Sequence, residues 1–153
     1  MSDMGSIAME YWERLPHRFP CVSLDECIVM PNHLHGIIII VGAQFIAPWN
    51  EDLLGAINRA PTLGEIIRSF KAVTSRQIRV SVNQTFGWQR NYYEHVIRNE
   101  DSLNHIREYI STNPMRWELD RENPDRKGED EFDRWLDTFK GHPDVTFQKT
   151  ESD

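Results

Sequence analysis

The stretch VSLDECIVMPNHLHGIIII, residues 22–40, decides the fold. β-Branched and apolar residues run from Val22 to Met30, Pro31-Asn32 interrupts them with a turn signal, and HLHGIIII resumes the run. So short a break between two strand-like segments predicts an antiparallel hairpin. Four consecutive isoleucines, Ile37 to Ile40, predict a second strand covered on both faces.

Helical patterns flank the hairpin. Residues 4–15 place Ile7, Met9, Tyr11, Trp12 and Leu15 at roughly helical spacing, and Pro16 closes the segment. Thr62 with Glu65 three residues later forms a capping-box signature, and Leu63, Ile66, Ile67, Phe70, Val73 and Ile78 then mark one face of a helix. WQRNYYEHVIR after Gly87 alternates and reads as a strand. Asn99, Glu100 and Asp101 open a last helix with Leu103, Ile106 and Ile110 inward, and Pro114 ends it near Asn113. Residues 44–61 read as a loop, and Phe132, Trp135, Leu136 and Phe139 as one amphipathic turn. The expected order is α-β-β-α-β-α, an α+β sandwich of helices on an antiparallel sheet.

The 153 residues make one domain of ordinary size, 39% hydrophobic and 27% charged, which excludes collagen-like, coiled-coil and wholly disordered classes. The longest apolar run, Gly36 to Ala43, is under half of a bilayer span. The N-terminus lacks a basic segment followed by an apolar one, so no membrane association and a cytoplasmic location are expected. Cys21 and Cys27 are too few for a structural zinc site and read as buried thiols.

A net charge of −7 argues against a nucleic-acid partner only if it is evenly spread. It is not. Residues 118–153 hold 12 acidic and 6 basic side chains, whereas residues 59–116 hold 9 basic and 5 acidic ones. A mildly basic centre followed by an acidic tail is compatible with DNA, with Arg68, Lys71, Arg90 and Arg98 as candidate phosphate contacts, although such residues are commonly only solvated.

On a strand, alternate side chains share a face, so His33 and His35 project together and are spaced for a shared divalent cation. Two polar residues on a half-exposed strand would look the same. On the last helix Tyr109 and Asn113 are four residues apart and share a face, a phenol beside an amide oxygen. An ordinary packed tyrosine fits that spacing equally. Tyr92 and Tyr93 fall on opposite strand faces as packing or base-stacking residues, and His95 and His105 have no partner at ligand spacing.

Taken jointly, MPNHLHGIIII, SFKAVTSRQIR, WQRNYYEHVIRNEDSL and REYISTNPMRW resemble, in order and spacing, the blocks of single-tyrosine transposases. These are histidine–hydrophobic–histidine (HUH) endonucleases, which include the REP-associated tyrosine transposases and insertion-sequence transposases. The likeness covers about residues 8–118. It implies a transposase-like domain over 1–118, lacking the family's first strand, and an acidic tail over 119–153. The implied fold is ferredoxin-like α+β, with helices packed on one face of an antiparallel sheet. The implied chemistry is cleavage and rejoining of single-stranded DNA with a hairpin, Mg²⁺ or Mn²⁺ held by His33, His35 and Asn113, and Tyr109 as nucleophile. A homodimer is a further expectation. A hairpin-binding remnant without activity, and a nuclease in which Tyr109 is structural, are the alternatives.

Overall fold

A computed structural model describes residues 1–41 and 61–138. The chain is α+β, with five α-helices, one 3-10 helix and a two-stranded antiparallel sheet among the described residues. It divides into two compact units, residues 1–25 with 36–88 and residues 26–35 with 89–153. The loop expected over 44–61 and Phe139 fall outside the described residues, apart from the loop's last position.

The first unit is built on two helices. Helix α1, Asp3–Glu13, starts where the Ser2 hydroxyl accepts the Gly5 amide at 3.2 Å, and it buries Ala8 and Trp12. A four-residue helix α2, Leu15–Arg18, follows and buries Leu15. Helix α3, Leu63–Ser81, opens with the expected capping box: Thr62 Oγ1 accepts the Glu65 amide at 3.2 Å, and the Thr62 amide donates to Glu65 Oε2 at 2.7 Å. Ile66, Phe70, Thr74 and Ile78 form its buried stripe, one residue per turn. Trp12 meets Phe70 edge to face with ring centroids 5.7 Å apart.

Thr74 has no exposed surface, so its hydroxyl must be satisfied internally. It donates to the Phe70 carbonyl at 2.7 Å and accepts the Trp88 indole N–H at 2.8 Å. The helix back-bond and the loop aromatic thus share one oxygen.

Strands β1, Val22–Val29, and β2, Leu34–Ile40, pair as the sequence predicts. The Val41 amide donates to the Cys21 carbonyl at 2.8 Å, and at the turn the Met30 amide donates to the His33 carbonyl at 2.9 Å. Of the four isoleucines only Ile37 is buried; Ile39 and Ile40 are exposed, so the expected double coverage of this strand is not found. Cys21 is buried and Cys27 half-buried, both as free thiols.

The second unit departs further from expectation. Residues 88–98 form no hydrogen-bonded strand, so the expected third strand is replaced by irregular chain. Alternation records which side of a segment faces inward, and an extended segment can do that without a partner edge; here Tyr93 and Val96 remain exposed. Helix α4, Glu100–Thr112, is capped by Asn99 Oδ1, which accepts the Ser102 amide at 2.8 Å. Pro114 ends the α-helix, but the chain continues as a 3-10 helix over Asn113–Leu119. Beyond residue 118, where an acidic tail is expected, Asp120, Asn123, Asp130 and Phe132 are all buried, and helix α5 spans Glu131–Asp137. The acidic residues of this stretch cap turns and pair: Asp130 takes Arg116 at 2.7 Å and the Phe132 amide at 2.7 Å.

Gly36 tests the packing of the first unit. A Cβ there would lie 2.4 Å from the Trp12 ring, and that ring is fixed against Phe70. Gly36→Ala is expected to destabilise the protein by about 1–3 kcal/mol through overpacking, read as a lower urea midpoint.

Candidate active site

In the second unit the turn and the start of β2 present both histidines on one side. Their Nε2 atoms lie 2.8 Å apart. The Asp120 Oδ2 oxygen is 3.6 Å from His33 Nε2 and 3.7 Å from His35 Nε2, and Asp120 is 2% exposed. These three side chains are a possible ligand set, their ligand atoms within 4.8 Å of one another.

The surroundings set the chemistry of each donor. His33 Nδ1 is 2.8 Å from Asn32 Oδ1, a carboxamide oxygen that can only accept, so Nδ1 carries the proton and Nε2 the lone pair. Asn32 is itself held, its Nδ2 donating to the Glu122 carbonyl at 2.7 Å. An outer hydrogen bond of this kind orients a metal-binding imidazole and raises its basicity. Asp120 Oδ1 accepts the Glu122 amide at 2.7 Å, which leaves Oδ2 directed at the imidazoles.

Asn113 is 1% exposed. Its Oδ1 is buried without a hydrogen-bond partner, while its side chain, like that of His35, bears on the Asp120 carboxylate. Buried orphan acceptors are costly, on the order of 1–3 kcal/mol each. Two imidazole nitrogens and a buried carboxylate oxygen are a donor set that a hard or borderline divalent cation satisfies. His33, His35 and Asp120 therefore fit a cation; Asn113, expected among the ligands, bears on the Asp120 carboxylate.

Electrostatics point the same way. Burial, then the neighbouring His35, lower the His33 pKa to about 4, so the ring is neutral at pH 7 and free to donate its lone pair. Burial opposes ionisation of Asp120, but His35, the Glu122 amide, His33 and Asn113 outweigh it and hold the carboxyl at about 2. Tyr109, 7% exposed, packs its ring edge to face on His35 with centroids 5.2 Å apart, and stacks on Phe132 at 3.6 Å. Burial, then the Asp120 carboxylate, push its phenol above the ordinary tyrosine value.

The other candidates are not part of this cluster. Arg68 and Lys71 lie on α3 in the first unit, Arg68 exposed and Lys71 half-buried with its pKa lowered by burial. Arg90 and Arg98 are exposed on the irregular segment. His105 and His95 lie against Trp135, with centroids at 4.6 and 6.0 Å. Sequence reasoning missed Asp120, Asn32 and Arg121. The Asn-His and Leu-Asp neighbours carry no periodic signal; Arg121 stands over the Tyr93 ring at 4.5 Å and acts electrostatically on His33 and Tyr109.

A pH prediction follows with a definite sign. The unfolded chain protonates His33 near pH 6.5 while the folded chain refuses the proton until about pH 4. Stability in chelator is therefore constant above pH 6.5 and falls through that window, by on the order of 3 kcal/mol from this residue. Asp120 adds a further loss only as pH falls below its unfolded value of 3.8. Urea midpoints between pH 7.5 and 4.5 should decline in the natural chain and decline less in His33→Asn, where His95, whose pKa burial also lowers, still contributes.

No protein-family model matches the sequence, and no solved structure matches it. An uncharacterized protein of Haemophilus influenzae is 42% identical over 127 residues, which cover 79% of this chain and 70% of that protein. At that identity and coverage, the chain belongs to the same family as the Haemophilus influenzae protein.

Proposed function

We propose that this chain is a metal-dependent transposase of the single-tyrosine kind, which cleaves and rejoins single-stranded DNA. The observation that carries the reading is the convergence, in one unit, of His33 and His35 Nε2 with the buried Asp120 carboxylate, beside the Tyr109 ring. In this reading the β1–β2 hairpin belongs to a ferredoxin-like sheet, the cation is Mg²⁺ or Mn²⁺, and the substrate is a DNA hairpin with a single-stranded flank.

A divalent cation here supplies charge stabilisation at the scissile phosphate oxygens and lowers the phenol pKa. His33, His35 and Asp120 would hold it, and the resemblance adds the Asn113 amide oxygen. Tyr109 supplies the nucleophile: its oxygen bonds to phosphorus as the bond to the 3′-oxygen breaks, the phenol proton leaves to solvent, and the 3′-oxygen takes up a proton. A 5′-phosphotyrosine and a 3′-hydroxyl result. The ester keeps the bond energy, so attack by a 3′-hydroxyl reverses the step and joins strands.

The phenol's raised pKa supports dependence on the cation, because a buried tyrosine beside a carboxylate is otherwise a weak nucleophile.

The test is incubation with a labelled single-stranded hairpin and Mn²⁺. A covalent adduct that survives denaturation, is destroyed by protease and is absent in Tyr109→Phe is expected. Cleavage that persists in Tyr109→Phe would assign hydrolysis by a bound water instead, and binding without adduct would assign a non-catalytic DNA-binding protein. Asp120→Asn should weaken Mn²⁺ binding by about 10–100-fold, measured by calorimetry.

A further inference from the structure

The first unit contains a cavity of about 520 Å³ between α1, α2 and α3, a volume within the range of small-ligand sites. Its floor is apolar, formed by Leu15, Phe70 and Val73, with Tyr11 along one wall. Its rim is basic: Arg14, His17 and Arg18 line it, all exposed. Arg14 pairs with Glu10 at 2.5 Å and stands over the Tyr11 ring at 5.2 Å, while Arg18 stands over Phe19 at 5.9 Å.

Aromatic surface narrows the ligand class. Tyr11 and Phe70 line the cavity, and a nucleobase stacks on such rings through its own π face whereas an aliphatic tail does not. The guanidinium forks at the rim match a phosphate.

We infer that this cavity binds an unpaired nucleotide, the base against Tyr11 and the Phe70 and Val73 floor, and the phosphate at Arg14 and Arg18. The inference rests on the single-strand reading above and gives it a base-binding pocket away from the metal ligands in sequence. It also gives the first unit a binding task independent of the tyrosine chemistry.

The full chain is titrated in EDTA against a 5′-fluorescein-labelled single-stranded octathymidylate, and anisotropy is read. EDTA keeps the measurement independent of the cation. Arg14→Ala with Arg18→Ala is expected to weaken binding at least tenfold and to make the salt dependence shallower. Val73→Phe, which fills the floor without changing charge, is expected to weaken binding comparably. The rim variants alter exposed side chains, and circular dichroism checks that every variant is folded. Displacement of the probe by millimolar thymidine monophosphate supports the pocket and shows that one free nucleotide suffices; displacement only by longer strands supports it as part of a track. Binding within twofold of the natural chain in both variants, absence of binding, or displacement by decanoate and not by the nucleotide, overturns it. Pocket-dependent binding without a covalent adduct upholds the pocket while the transposase reading fails, and an adduct with unchanged binding in the variants does the reverse.

Discussion

Two imidazole nitrogens 2.8 Å apart, facing a buried carboxylate oxygen, are the constraint around which the second unit is arranged. A separation that short is bridged by one proton or by a cation, and either is met by a lone pair on His33 Nε2. Burial secures this for His33 by lowering its pKa. The Asn32 carboxamide secures the tautomer, and the Glu122 backbone serves both sides: its carbonyl takes Asn32 and its amide takes Asp120. Loss of that short turn would free the outer partner of one imidazole and the anchor of the carboxylate together.

The 3-10 helix has a corresponding role on the other side. An α-helix continued past Asn113 would be broken by Pro114 in any case, and the tighter winding carries the chain on to Asp120 within seven residues. Asn123 then closes the turn, its amide donating to the Trp117 carbonyl at 2.8 Å and its Oδ1 accepting the Asp125 amide at 2.9 Å. Asp130 and Arg116 pin the following segment, so that Phe132 reaches the Tyr109 ring. Of the residues that composition marks as an acidic tail, Asp120 and Phe132 therefore border the site.

The sequence was most legible where chemistry is local. Both strands of the hairpin, the Thr62–Glu65 cap and the helix that carries Tyr109 and ends before Asn113 follow from period, cap and proline. Non-local features were not legible. The carboxylate at Asp120 lies 85 residues beyond His35 in the chain, and only folding brings it to the imidazoles; nothing in a run of charged residues distinguishes the one that becomes buried. Residues 88–98 fail for the complementary reason, since alternation requires only an inside and an outside, and a strand requires another strand's edge. The four isoleucines mislead because a continuous apolar run signals coverage that only other elements can provide.

The distribution of indoles has a practical consequence. Trp12 and Trp88 belong to the first unit, Trp117 and Trp135 to the second. Trp88 donates to an internal hydroxyl and Trp12 is almost wholly enclosed, while Trp135 rests on His105 and Trp117 lies 6.0 Å from His33. Trp49 lies outside the described residues; with it also replaced by phenylalanine, replacing either pair leaves intrinsic emission that reports the melting of a single unit, so that cooperative and stepwise unfolding become separable by colour alone.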